Sequence, residues 1–153
     1  MNQYTQLLYY IKALAEADPL VNTVSKGDFE KLDLEKQNIF NLVHINITDA
    51  GFTNGSVVLF GVQIGAFGIR DINKEVITDK FWGQDNEVDN MNETLAILNR
   101  MWLKMYTDFE DNNITSSENP TFELGSLEGS KLLDGARLTF TVEVPNTELS
   151  LCL

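Results

Sequence analysis

The sequence predicts one α+β domain over residues 1–153: a mixed, mainly antiparallel sheet with a short N-terminal helix and a long C-terminal-half helix packed on it. Three stretches carry that expectation. In Ser56 to Asp71, SVVLFGVQIGAFGIRD, the even positions Val58, Phe60, Val62, Ile64 and Ala66 are apolar in strict alternation, the period of a strand. Asn86 to Glu110 places Val88, Met91, Leu95, Leu98, Trp102, Met105 and Phe109 three or four residues apart, an apolar stripe wide enough to cover a sheet. From Ala136 to Val144, Leu138, Phe140, Val142 and Val144 alternate with Arg137, Thr139, Thr141 and Glu143, the pattern of a strand buried on one face.

The other elements follow in chain order. Asn2 to Ala17 spaces Tyr4, Leu7, Leu8, Ile11, Leu14 and Ala15 as a helix does, and Asp18-Pro19 stops it, because the residue before a proline is disfavoured in helical geometry. Leu20 to Val24 reads as a short extended segment and SKGDFEKLDLEKQN as a charged loop. Leu42 to Thr48 is a strand with Val43, Ile45 and Ile47 on one face. Asn54-Gly55 tolerates the backbone angles of tight hairpin turns, so this strand pairs antiparallel with the long one, and the hairpin tip projects beyond the core. The long strand's odd face, with Val57, Leu59, Phe67 and Ile69, is too apolar to be solvated throughout, which calls for a second covering surface.

INKEVITDKFWGQ reads as an ordered excursion, and Phe81 and Trp82 beside Gly83 are either a local anchor or a subunit-interface anchor. Asp85, Glu87 and Asp89 suit the positive end of the long helix's dipole, with Arg100 and Lys104 toward its other end. Thr121 to Leu127 is a strand, and Pro145 ends the last one. A flexible tail over about 147–153 carries Leu149, Leu151 and Leu153 at alternate positions, free or adding a strand to a neighbour.

Composition bounds the function. A chain of 153 residues buries roughly 68–70% of its unfolded surface and needs no staple. Its one cysteine, Cys152, precludes an internal disulfide framework or a cysteine-based metal site. The first residues lack a basic region followed by an apolar core, and no stretch is long and apolar enough for a membrane helix, so a chain folded in a cytoplasm without a membrane partner is expected. A net charge of -12 argues against gripping nucleic acid, which takes clustered Lys and Arg. Acidity suits either solubility or the wall of a conduit through which DNA slides.

Searching for chemistry leaves little. His44 is the sole histidine, so a histidine-based triad could be built only around it, and a strand histidine on the more polar face reads as structural. Gly61, Gly65 and Gly68 are spaced along a strand with no Gly-Lys-Ser/Thr after them, and read as places of bending or close approach. Asp108 to Asn119 has oxygen ligands at three positions of a calcium loop but Asn113 and Asn119 where that loop needs Gly and Glu. The expectation is a protein without catalytic residues, cofactor or metal.

Helix, NLVHINIT, the hairpin into VVLFGVQIGAFGIRD, the excursion ending in FWGQDNEVDN, the helix MNETLAILNRMWLKM and the strand DGARLTFTVEVPN together resemble the tail terminator, or tail completion, proteins of long-tailed bacteriophages. The resemblance spans about Asn2 to Asn146 and is one of pattern. It implies a structural virion protein of the tail and neck, assembled in the host cytoplasm. Such a protein forms a ring, commonly a hexamer, that caps the tail tube protein and offers a surface to the head–tail connector. Genomic DNA passes through the ring without specific binding. The interface residues expected on this reading are Phe52 and Asn54 at the hairpin, Phe81 and Trp82, and Leu149 and Leu151 of the tail. A head-completion or neck ring protein would share these features, and a cup-shaped ligand-binding or enzymatic domain could be built from the same elements.

Overall fold

A computed structural model describes residues 3–28, 40–53, 55, 57–70, 86–117, 119–127 and 133–145. They form α1 (Gln3–Ala17), β1 (Thr23–Lys26), β2 (Leu42–Thr53), β3 (Val57–Ile69), α2 (Glu87–Asp111), β4 (Thr115–Ser116), β5 (Thr121–Leu127) and β6 (Leu133–Pro145). The strands make one sheet in the order β1-β2-β3-β6, with the short β4 and the longer β5 both on the far side of β6. β1 runs parallel to β2, and the other pairings are antiparallel, so the fold is the mixed, mainly antiparallel α+β arrangement expected.

Both helices lie on one face of the sheet. α1 packs over β1 and β2, and α2 over β3 and β6. Val58, Phe60, Val62, Ile64 and Ala66 of β3 are all buried there, between Leu7, Leu8 and Ile11 of α1 and Ile97, Leu98, Met101 and Met105 of α2. α1 stops at Asp18-Pro19, as expected. Asp18 accepts the Leu20 N–H at 3.0 Å and takes both arms of the Arg100 guanidinium at 2.8 and 2.9 Å, tying the end of one helix to the middle of the other.

β2 outruns its expected end because a bulge between Ile47 and Asp49 inserts one residue. Before it, Val43, Ile45 and Ile47 oppose the core residues Ala66, Ile64 and Val62; after it, Ala50 and Phe52 oppose Phe60 and Val58. The bulge therefore moves Asp49 to the outer face, where its carboxylate lies over Gly61 and fills the space a side chain there would occupy. Simple alternation would have aimed Asp49 at the core.

The sheet's other face is covered at one end, as the apolar odd positions of β3 required. Leu42, Phe67 and Leu133 form a second buried cluster with Phe40 against it. Gly135 is needed beside it: a Cβ there would run into the Ala66 carbonyl and the Phe67 ring. Along the rest of this face Gln63, Thr139, Thr141 and Glu143 are partly or fully exposed.

α2 differs from expectation in its rotation. The residues it buries are Asn90, Thr94, Ile97, Leu98, Met101, Met105 and Phe109, whereas Val88 is 53% exposed and Leu95 and Trp102 are only half-buried. The helix turns two polar residues inward because both are satisfied. Thr94 donates to the Asn90 carbonyl at 2.7 Å, and Asn90 donates to the Ile69 carbonyl at 2.9 Å and to Asp134 at 3.2 Å. Acids in its first turn match its dipole, but its last turn carries no base; Lys104 instead pairs with Asp108 at 2.7 Å. β1 starts three residues later than expected, β6 three earlier, and β4 was not anticipated. The expected excursion over 72–84 and the tail lie outside the described residues.

Candidate functional site

α2 is placed against the sheet by a charged knot. Asp134 on β6 is fully buried and accepts from Arg70 Nε at 2.9 Å, Ser126 at 2.7 Å and Asn90 at 3.2 Å. Arg70 also reaches Glu87 in the first turn of α2 at 2.9 Å. Burial pushes the Asp134 carboxyl up, but the hydrogen bonds from Arg70, Ser126 and Asn90 outweigh it and hold the group below its ordinary value. This knot joins the end of β3 to β5, β6 and α2.

His44 is buried on the outer face, and its two ring nitrogens are both used. Nε2–H donates to the Gly27 carbonyl at 2.9 Å, which leaves Nδ1 to accept the Ser25 hydroxyl at 2.7 Å. Burial lowers the imidazole's pKa against the opposing pull of the Gly27 and Asp28 contacts. The arrangement staples β1 to β2, the structural role expected of it. At the end of α2, the Tyr10 hydroxyl donates to Asp108 at 2.6 Å, and burial followed by that carboxylate pushes the phenol's pKa far up. Asp108, the first residue of the calcium-like stretch, sits on the last turn of a helix and is engaged by Lys104 and Tyr10. Among the described residues no group of three or more His, Cys, Asp or Glu converges as a metal site.

Of the residues expected at an interface, Phe52 is described and Asn54, Phe81, Trp82, Leu149 and Leu151 lie outside the described residues. Phe52 stands at the hairpin tip, 73% exposed, on the same sheet face as the helices but beyond their reach. Gly55, with φ of 71°, makes the positive-φ turn that the Asn-Gly pair signalled.

Sequence reasoning missed the opposite edge. β5 pairs with β6 on one side, and among the described residues no strand pairs with its outer edge. Phe122 and Leu124 oppose the core residues Leu138 and Ala136, so they point to the helix face, yet they are 38% and 60% exposed because α2 packs mainly on β3 and β6 and, beyond β6, on the short β4. Between them and the flank of α2 lies an open cleft of about 360 Å³, lined by Asn92, Leu95, Ala96, Asn99 and Phe122. Its signal was the breadth of the apolar positions on α2, with Val88, Leu95 and Trp102 lying beside the stripe that meets the sheet. No protein-family model matches the chain, and no curated protein matches it. Among the described residues the edge of β5, the cleft and the Phe52 tip expose apolar side chains, and no strand pairs with the outer edge of β5.

Proposed function

We propose that this chain is a structural virion protein, a tail terminator whose ring caps the tail tube and joins it to the head connector. The observation that carries the reading is β5: among the described residues it is an edge strand, with Phe122 and Leu124 exposed on the helix face beside a helix flank and Glu123 alone carrying charge along it. Monomers blunt such edges with charge, proline or a covering element, and a strand left open is a template for another chain. A contact from β5 to a different surface of a second copy is head-to-tail and can close into a ring. The net charge of -12 fits a lumen that DNA crosses without adhering.

A head-completion or neck ring protein rests on the same edge and differs only in its neighbours. A cup-shaped ligand-binding domain would call for an enclosed pocket with convergent polar groups. The cleft between α1 and β1, about 280 Å³, is open and lined mainly by Leu8, Tyr9, Val24 and Ile45, with Lys12, Ser25 and Lys26.

The test is the mass of the purified chain by light scattering over a range of concentrations, with negative-stain images of the same samples. Rings of about six subunits are expected; a concentration-independent dimer with no rings would overturn the proposal.

A further inference from the structure

The chain carries an apolar knob and an apolar notch that cannot meet within one molecule. The knob is Phe52 at the tip of the β2–β3 hairpin, and the notch is the cleft formed by Leu95, Ala96 and Phe122. Both lie on the helix-bearing face of the sheet. Through the pairings Phe52↔Val58 and Val58↔Val144, the knob stands level with Val144 on β6, while Phe122 pairs with Leu138. That offset along β6 is about 20 Å at the rise of a strand, and the knob sits three strands away from β5, about 14 Å at strand spacing. The two features are therefore diagonal corners of one face, about 25 Å apart on those spacings.

We propose that the Phe52 hairpin tip of a second copy of this chain fills the notch beside β5, each subunit giving its knob to one neighbour and receiving one from the other. The inference rests on the ring reading and names the contact that makes the ring. Charge selects the occupant. In a chain of net charge -12, two copies approach only where neither presents its acids. From Ala50 through Ile69 the hairpin holds no charged residue, and the notch residues Asn92, Leu95, Ala96, Asn99 and Phe122 are likewise uncharged; the exposed acids Asp49, Asp89 and Glu123 stand at their margins. Glu93, on the same helix, is turned away and bonded to Asn41, and Arg100 is held by Asp18 on the opposite side. A polar rim is present as well: Asn92 and Asn99 can hydrogen-bond the backbone of an incoming turn while Phe52 enters the apolar floor, the arrangement of core and rim that interfaces use. Because the knob and the notch are different surfaces, the contact is heterologous and propagates around a ring instead of stopping at a dimer.

The test uses the full chain in a Cys152→Ser background. Phe52→Cys and Ala96→Cys proteins are prepared separately, mixed and oxidised. A covalent heterodimer is expected from the mixture and no covalent dimer from either protein alone, and the doubly substituted chain should give a ladder up to the ring. Rings that form normally while the mixture stays uncross-linked would overturn the knob and notch and leave the ring reading standing. Cross-linking of Phe52→Cys with itself would likewise overturn the contact in favour of a two-fold one. A chain that neither assembles nor cross-links at any concentration would sink both. Phe52→Asp should abolish rings, with the thermal unfolding midpoint within a few degrees of the parent's; rings that survive it would overturn the contact.

Discussion

Phe122 and Leu138 stand opposite one another across the β5–β6 pairing and point to the same face of the sheet, yet Leu138 is fully buried and Phe122 is 38% exposed. One strand's width separates a core position from a surface one, because α2 packs mainly on β3 and β6 and reaches beyond β6 chiefly at the short β4. Substituting this rim should therefore separate association from folding. Leu124→Lys, at a side chain already 60% exposed, should leave unfolding free energy within about 0.5 kcal/mol of the parent, as surface changes usually do. The same change should abolish the light-scattering mass of the assembled form. A large loss of stability would mean that the Leu124 side chain itself anchors β5 to the fold.

The Asp134 knot should set the acid limit of stability. Its carboxyl titrates below the ordinary 3.8 in the folded chain, so its contribution is present above that pH and is lost as pH falls through the lower folded value. Asp18, held down by Arg100 against its own burial, acts in the same direction. Asp134→Ala should cost on the order of 3–5 kcal/mol at pH 7, the usual loss when one partner of a buried ion pair is removed, since Arg70, Ser126 and Asn90 then lose their shared acceptor. Denaturant titrations at pH 7 and pH 3 check both parts: the difference between parent and variant should narrow at the lower pH.

His44 makes a prediction of opposite location on the pH scale. Its folded pKa is depressed below 6.5 by burial, so the unfolded chain takes up a proton before the folded one does. Stability is fully present above pH 6.5 and falls as pH drops from there toward the folded value, by at most about 1.4 kcal/mol per pH unit for a single proton. His44→Gln should be less stable at pH 7, because the Ser25 and Gly27 bonds are disturbed, and should lack that slope. Unfolding curves collected between pH 5 and pH 8 would show a parallel slope in the variant if some other group were responsible.

What could be read from the sequence was whatever depended on local period. β3, β5 and α2 sit within a residue or two of the expected spans, because strict alternation and a helical stripe each leave few registers. What could not be read depended on partners remote in sequence. Asn90 and Thr94 look like surface residues until Ile69 and Asp134 are placed beside Asn90, and their burial rotates α2 so that Val88, Leu95 and Trp102 fall to its flank. The bulge at Asp49 carried no marker beyond the glycine it lies over, Gly61, twelve residues on. Phe52 was expected at the hairpin and is exposed there, while the notch beside β5 exists only once two separated elements are brought together.

Two glycines on neighbouring strands should respond differently to the same substitution. At Gly61 an added methyl meets the Asp49 carboxylate and the Thr48 hydroxyl, both side-chain groups on the exposed stretch of β2. Those groups can swing into solvent at the loss of one exposed hydrogen bond, Thr48 Oγ1 to Asp49 Oδ1 at 2.8 Å, so Gly61→Ala should cost less than about 1 kcal/mol. At Gly135 the methyl meets the Ala66 carbonyl, backbone within the β3–β6 ladder, and the ring of Phe67, which is buried with Leu42 and Leu133. Neither can move without breaking pairing or opening the second cluster, so Gly135→Ala should cost about 3 kcal/mol, the upper end of overpacking in a dense core. Thermal melts of the two variants side by side check the order. Equal losses would mean that Asp49 is fixed over Gly61 by something stronger than its bond to Thr48, and the bulge would then be a rigid part of the hairpin rather than an adjustable one.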